Sequence, residues 1–300
     1  MRTTFIQQLV EEARRNDRIF LLVGDLGYNV VELFANEFPD RYINVGISEQ
    51  NMAGIAGGLA MNGWIVYCYS IGNFPTLRCI EQIRNDIVYY NSNVRIVSVG
   101  AGYAYGSQGV SHQATEDVGM LRTLPGMMIC SPSDPAETRM LVKLSVNHQG
   151  PVYIRLGKAG EKTFHQNDID NYKIGSLLPL IQNKSSDTVV LTSGSIVSRV
   201  MDEINNRSLP YDVFTVPIVK PLLKESLLTI ARDYKQIIVL EENQLSAGVG
   251  SAIIEQLSDS FNAGELDGYP KVQRIAIKDE FLGLAGSQKC LQDLAGLHLR

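Results

Sequence analysis

The chain has 300 residues, of which 45% are apolar and 20% are charged, and its formal net charge is −5. This length accommodates two domains with separate cores, and the composition is ordinary for an α/β protein. The acidic balance and the lack of a dense Lys/Arg run argue against nucleic acid as a partner. No apolar run approaches the roughly 20 residues that a membrane-spanning helix needs, so no membrane partner is expected.

The N-terminus and the cysteines bear on the cellular compartment. Residues 1–18 read MRTTFIQQLVEEARRNDR, which is the pattern of an amphipathic helix with acidic residues and not that of a secretion signal. The four cysteines lack CxxC spacing, so neither a zinc site nor a disulfide framework is indicated. We therefore expect a cytoplasmic protein with reduced cysteines.

Helices and strands alternate along the first half of the chain, which predicts a parallel sheet. A helix over about 3–16 leads into a strand over 19–23 and the turn Gly24-Asp25-Leu26-Gly27. This GDLG turn lacks the pattern of a phosphate loop and the third glycine of a dinucleotide fingerprint, which favours a simple strand-end loop. The later elements are a helix at 30–37, strands at 41–45, 64–70, 94–99, 127–131 and 151–156, a glycine-rich helix from 50, and a helix through 77–88.

The glycine-rich helix stands out because Ser48 occupies an N-cap position and Glu49 follows it. Glycine in a helix interior costs about 1 kcal/mol relative to alanine. Gly54, Gly57 and Gly58 therefore need a reason, which is the close approach of another backbone or of a planar ligand. A single Glu at this place could also serve only as a partner of the helix dipole.

A second conspicuous feature is the loop at 100–113, which is long and rich in glycine. Loops of this length are uncommon unless they are functional. His112 near its end could orient a substrate or shuttle protons, or it could cap the following helix.

The second half of the chain predicts another domain. The stretch 161–187 is polar and rich in turn residues, so it is expected to be a linker between domains at 1–160 and 188–300. Strands are expected at 188–191, 211–215, 236–240 and 271–275, alternating with helices as in a βαβ arrangement.

Three motifs together resemble one family. ISEQNMAGIAGG (47–58), SHQATED (111–117) with LPGMMICSPSD (124–134), and EEN followed by GVGS (241–251) are similar to segments of transketolase-like, thiamine-diphosphate-dependent enzymes. The resemblance covers nearly all of the chain. It implies an α/β fold, with a pyrimidine-binding domain whose parallel sheet has helices on both faces, followed by a transketolase C-terminal domain that serves in packing. It also implies transfer of a two-carbon ketol unit from a ketose to an aldose.

The resemblance assigns the cofactor residues. Glu49 would hydrogen-bond the aminopyrimidine nitrogen of thiamine diphosphate, and Ile47 opens the same ISE motif at the cofactor. Phe74 in GNF would stack on the pyrimidine ring, with Tyr69 behind it. His112 would face the thiazolium ring and the substrate oxygens.

The resemblance also bears on the substrate. An arginine at the position of Arg155 joins one near the domain start, here Arg2, to bind the sugar phosphate, and a guanidinium fork suits a phosphate dianion. Gln108 replaces an acidic residue that contacts a substrate hydroxyl, and Gly100 stands where sugar transketolases have a histidine. The substrate is therefore expected to be a sugar or sugar phosphate other than the usual ketoses.

Half of the expected cofactor site is missing from the sequence. Diphosphate-binding domains carry GDG and, about thirty residues later, an asparagine pair that ligates Mg²⁺. No GDG followed by such a pair occurs, which predicts the C-terminal subunit of a split transketolase that is inactive alone. An N-terminal subunit would supply the diphosphate domain and the Mg²⁺ ligands in a heterotetramer, with self-association through the small residues of the glycine-rich helix.

Other functions stay open at this point. The ISE helix also occurs in the beta subunits of 2-oxo acid dehydrogenases, although SHQATED and EEN…GVGS are closer to transketolase and deoxyxylulose-phosphate synthase. A non-catalytic assembly subunit is a further alternative. Simple nucleotide binding is the least consistent with the sequence, because no dinucleotide fingerprint is present.

Overall fold

Two α/β units follow each other in the computed structural model, which describes residues 1–183 and 186–299. The first unit contains a seven-stranded sheet whose described strands are parallel except for one antiparallel strand at an edge, which is the first in the order below. In spatial order the strands are β10 (Ile218–Lys220), β5 (Met128–Cys130), β6 (Val152–Leu156), β4 (Val94–Val99), β3 (Ile65–Ile71), β1 (Ile19–Val23) and β2 (Tyr42–Asn44).

Helices cover both faces of this sheet, as the apolar runs of its central strands require. One face packs against α1 (Arg2–Arg15), α2 (Glu32–Glu37) and α6 (Pro135–Asn147). The other face packs against α3 (Glu49–Met61), a turn of helix α4 (Ile80–Gln82) that continues as a π-helical segment over Ile83–Val88, and α5 (Asp117–Arg122). The expected α/β fold of the first unit is thereby confirmed.

The second unit has a five-stranded sheet whose described strands are parallel except for one antiparallel strand at an edge, which is the last in the order below. In spatial order the strands are β12 (Lys271–Ile277), β11 (Gln236–Gln244), β8 (Thr188–Thr192), β9 (Asp212–Thr215) and β7 (Leu178–Ile181). The helices are α7 (Val197–Arg207), α8 (Lys224–Asp233), α9 (Val249–Asn262) and α10 (Gln288–Leu294).

The expected linker, 161–187, is only partly a connection. It contains β7, an apolar edge strand that pairs with β9. Residues 184 and 185 of this stretch lie outside the described residues.

The two units contact each other closely. Strand β10 belongs to the second half of the chain, yet it extends the first sheet through β5. The ends of β8 and β9 also reach the first unit, since the Ser193 hydroxyl donates to the Ser131 carbonyl at 3.3 Å and the Thr215 hydroxyl donates to the buried Glu137 carboxylate at 2.5 Å. The carboxyl edge of the second sheet therefore packs against the first unit.

The glycines of α3 have different surroundings. A Cβ on Gly57 would lie 2.7 Å from the carbonyl oxygen of Asp86, so this glycine allows the π-helical segment to approach. Gly54 and Gly58 are exposed and face open space in the single chain. The predicted close approach thus exists within the chain at Gly57, and the other two glycines remain available to a second molecule.

No helix in the described part of the chain is both long and apolar enough to cross a membrane.

Candidate active site

Glu49 is the first residue of α3, and its carboxylate turns inward toward the ends of β1 and β3. The residue is 1% exposed. Its Oε1 accepts a hydrogen bond from the Ser70 hydroxyl at 3.1 Å. A Cβ on Gly24 would lie 3.3 Å from the same oxygen, so a glycine at the end of β1 makes room for the carboxylate. Glu49 is therefore a buried acceptor at the carboxyl edge of the parallel sheet, where α/β proteins bind ligands.

Ser48 occupies the N-cap position of α3 but does not cap the helix with its side chain. Its hydroxyl donates instead to the Val45 carbonyl at 2.7 Å. The predicted N-cap position is confirmed, and the hydroxyl bonds to the turn before the helix and not to the helix amides.

An arginine that sequence analysis missed completes the surroundings of Glu49. Arg78 Nη1 lies 2.7 Å from Glu49 Oε2, and the Arg78 side chain is 43% exposed. Its Cζ atom lies 4.5 Å from the centre of the Phe74 ring, within the range of a cation–π contact. In the sequence Arg78 lies four residues after Phe74, and no motif distinguishes it.

His112 approaches the same place from the loop that follows β4. Its ring centre lies 5.1 Å from that of Phe74, with the ring planes at 71°. Its Nδ1 lies 3.0 Å from the Ser111 hydroxyl. Asn73, which precedes Phe74, donates a hydrogen bond to the Gln113 carbonyl and so ties the two loops together. Glu49, Phe74 and His112 are thus brought to one edge of the sheet.

The second unit supports the loop that carries His112. The Glu242 carboxylate is buried and accepts hydrogen bonds from the Tyr103 amide at 3.1 Å and from the Gln292 side chain at 3.0 Å. Burial raises the pKa of Glu242. Gly102 has a φ of +58°, and a Cβ there would lie 2.4 Å from Glu242 Cγ. The EEN segment, expected to serve in packing, therefore also holds this loop within the chain.

Tyr69 does not lie beside Phe74. It alternates with Ser70 along β3, so the two side chains point to opposite faces of the sheet. The Tyr69 ring is 1% exposed and stacks on Phe5 of α1 at 6.0 Å. The pleat of β3 thus directs Tyr69 into the other core, away from Phe74, and its role in cofactor binding stays a prediction.

Arg155 is likewise buried, and its guanidinium contacts groups within the chain. The residue is 1% exposed, and its Nε lies 2.8 Å from Asp117 Oδ2. Its Nη2 donates to the carbonyls of Ala114 and Glu242 at 2.9 and 3.0 Å. α5 packs Asp117 onto the end of β6, which the sequence does not reveal, and phosphate binding by Arg155 stays a prediction.

Arg2 lies away from Arg155. It belongs to α1, on the opposite face of the sheet, and lies beside Tyr105. The expected arginine pair therefore does not form.

Ile47 is 78% exposed in the turn before α3, and Gln108 is exposed in the loop before His112. Both are accessible at the surface around the site.

The residues present fit one half of thiamine diphosphate. A buried carboxylate can bind the protonated nitrogen of an aminopyrimidine, and the Phe74 ring, half-buried beside it, offers a face for stacking. For the diphosphate half, the sequence contains no GDG motif.

Comparisons with known proteins identify the family of both units. Residues 1–160 match the family model "Transketolase, pyrimidine binding domain", and residues 180–299 match "Transketolase, C-terminal domain". The pyrimidine-binding domain is that of a thiamine-diphosphate-dependent family.

Similar proteins include some that are named as transketolase subunits. A subunit of an apulose-4-phosphate transketolase from Phocaeicola vulgatus is 32% identical over 86% of this chain and 84% of its own length. A 6-deoxy-6-sulfo-D-fructose transketolase subunit from Clostridium sp. strain MSTE9 is 31% identical over 99% and 90%. A solved structure described as a split gene transketolase, inactive beta4 tetramer, has 32% identity and a TM-score of 0.83, covering 98% of this chain and 92% of that chain.

The buried Glu49, the two matched domains and the full-length similarity to separate subunits lead to one conclusion. The chain belongs to the transketolase family, as a transferase subunit of the kind that forms the C-terminal part of a split transketolase.

Proposed function

We propose that this chain provides the pyrimidine half of a shared thiamine-diphosphate site and, with an N-terminal partner, transfers a two-carbon ketol unit from a ketose to an aldose. The observation that carries this proposal is the buried Glu49 carboxylate, placed at the sheet edge beside Phe74 and near the loop of His112. Bound thiamine diphosphate would supply the nucleophilic carbon for cleavage of the ketose.

The residues of the chain would bind the pyrimidine ring and move protons. Glu49 would hold a proton on the aminopyrimidine nitrogen, as a general acid–base group in direct contact with the cofactor. Phe74 would stack on the ring and fix its plane. Ile47, exposed in the turn before α3, would contact the cofactor from the rim. His112 would move a proton at the substrate hydroxyl, which suits an imidazole that is only partly buried.

The proposed substrate class is a sugar or sugar phosphate. The names of two relatives specify a phosphorylated and a sulfonated sugar. In this chain Gln108 would contact a substrate hydroxyl from the exposed loop before His112. A neutral amide can donate as well as accept, so it tolerates hydroxyls in more orientations than a carboxylate does.

The proposed partner is an N-terminal transketolase subunit that carries the diphosphate-binding domain and ligates Mg²⁺. We propose a heterotetramer with self-association through the exposed face of α3 around Gly54 and Gly58, where small residues allow close backbone approach.

We also propose domain boundaries at 1–160 and 188–300. We further propose that the protein acts in the cytoplasm, where the free cysteines of the chain would remain reduced.

The test is a ketol-transfer assay on the two-chain complex with Glu49→Gln. We expect a loss of at least about 100-fold, because proton transfer contributes roughly that much or more. Glu81→Gln, an exposed glutamate on α4, is the matched control and should keep full activity.

Full activity of Glu49→Gln would contradict the proposal. Activity with a 2-oxo acid and a lipoyl acceptor would instead indicate a dehydrogenase subunit, and condensation of pyruvate with a sugar phosphate would indicate a deoxyxylulose-phosphate-synthase-like enzyme. No activity of the wild-type complex with any of these substrates would indicate an assembly subunit.

A further inference from the structure

The guanidinium of Arg78 lies between Glu49 and Phe74. It is held by a charged hydrogen bond of 2.7 Å to the Glu49 carboxylate, and it covers the Phe74 ring with Cζ at 4.5 Å from the ring centre. Under the proposed function, an aminopyrimidine ring needs the same two contacts, a hydrogen bond to Glu49 and stacking on Phe74. A planar cation therefore stands where the planar cofactor ring would lie.

We infer that Arg78 is a gate of the pyrimidine site: it covers Glu49 and Phe74 in the unloaded chain and must turn away before the cofactor ring binds. This inference rests on the proposed function. Two planar groups cannot occupy one face of Phe74 and one oxygen of Glu49 together. The closed arrangement therefore weakens cofactor binding. The apparent association constant equals the intrinsic constant multiplied by the fraction of molecules in which Arg78 has turned away.

The surroundings indicate which of the three residues moves. Glu49 is fixed by its position at the start of α3 and by the hydrogen bond from Ser70. Phe74 is anchored by its backbone, since its carbonyl accepts a hydrogen bond from the buried Cys79 thiol at 3.2 Å. The Arg78 side chain is 43% exposed, so it can rotate into solvent without opening the core.

The pairing also explains why an exposed arginine should occupy the site. A buried carboxylate without a partner is unfavourable, because it has lost its hydration. Arg78 compensates the Glu49 carboxylate in the unloaded chain, and the protonated ring nitrogen of the cofactor would take over that role. When the cofactor binds, its ring nitrogen would then replace the Arg78 guanidinium as the hydrogen-bond donor to the same oxygen of Glu49.

The test is calorimetric titration of thiamine diphosphate, at saturating Mg²⁺, into the two-chain complex. Arg78→Ala should bind roughly fivefold to tenfold more tightly than the wild type, because the ion pair and the cation–π contact of a half-exposed arginine no longer compete with the cofactor ring. Arg78→Lys keeps the positive charge but loses the planar stacking group, so its affinity should fall between the two. Arg84→Ala is the matched control, since Arg84 is an exposed arginine in the next segment whose hydrogen bond is to Asn85, and it should leave affinity unchanged.

An unchanged or weaker affinity of Arg78→Ala, with wild-type binding intact, would overturn the gate and leave the proposed function standing. Absence of binding to the wild-type complex would overturn the proposed function and the gate together. A second readout does not need the partner. In the isolated chain the guanidinium protons of Arg78 should exchange slowly by NMR, and Glu49→Gln should make them exchange rapidly, whereas equal rates in both proteins would contradict the ion pair.

Discussion

The Arg155 guanidinium and the Asp117 carboxylate form an ion pair in which both side chains are buried, with Nε and Oδ2 2.8 Å apart. Tyr153 donates a second hydrogen bond to Asp117, and the Asn243 side chain donates a third at 3.2 Å from the second unit. The end of β6 is therefore a structural junction between the two units.

Arg155→Leu should destabilise the chain by about 3–5 kcal/mol, because it leaves Asp117 as an unpaired buried charge. Urea denaturation measures this free energy of unfolding. Arg139→Ala, at the partly exposed pair with Asp168, is the control and should cost at most about 1 kcal/mol. If Arg155→Lys instead folded normally and raised the KM for phosphorylated sugars only, a role in phosphate binding would be supported against this account.

Gly57 and Gly58 should respond to alanine in opposite ways. Gly57→Ala should cost about 1–3 kcal/mol, because its Cβ would collide with the Asp86 carbonyl. Gly58→Ala should raise the free energy of unfolding of the single chain by up to about 1 kcal/mol, since alanine favours a helix and meets open space. Thermal unfolding of both variants at low protein concentration measures the difference.

The Gly58→Ala variant also tests self-association. If two copies of α3 meet around Gly54 and Gly58, the added methyl group should weaken the dimer in sedimentation experiments. A dimer of unchanged affinity would place the contact elsewhere.

The stability of the chain should fall as the pH rises from about 4.5 to about 7. Burial raises the pKa of Glu241 from 4.5 to about 7, although the amides of Gly250 and Val249 donate to it and lower its pKa in part. Between these pH values the folded state keeps a proton that the unfolded state loses. The free energy of unfolding is therefore highest below pH 4.5 and falls by on the order of 2–3 kcal/mol as the pH rises to 7. Burial also raises the pKa values of Glu137 and Glu242, which act in the same direction.

Denaturation at pH 5, 6 and 7 tests whether the free energy of unfolding falls as the pH rises. Glu241→Gln cannot titrate, so its free energy of unfolding should fall less steeply than that of the wild type. Glu225→Gln, at an exposed position of α8, should retain the wild-type slope. Equal slopes in the wild type and Glu241→Gln would contradict a titrating Glu241.

The sequence predicted most of the fold because the strands of a parallel sheet are buried on both faces and form continuous apolar runs. The strand expected at 94–99 has those bounds in the structure. The two strands that were missed, β7 and β10, have four and three residues and pair antiparallel at sheet edges. Their pairing depends on partners that are distant in sequence, so no local pattern predicts these two strands.

The candidate site was predictable only where a short motif carries it. The placement of Glu49 and Phe74 near one another follows from two strand ends at the same edge of the sheet. The contacts of Arg78 and Glu242 arise between segments far apart in the chain, 29 residues for Arg78 and Glu49 and 139 for Tyr103 and Glu242. The burial of Arg155 was not predicted for the same reason, since its partner Asp117 lies on another element.

The most direct test of the central claim, that this chain holds the pyrimidine half of a shared site, is calorimetric titration of thiamine diphosphate and Mg²⁺ in three samples: the chain alone, the chain with its N-terminal partner, and the Glu49→Ala chain with that partner. The account predicts binding only in the wild-type complex. Tight binding by the chain alone, or unchanged affinity after Glu49→Ala, would contradict it.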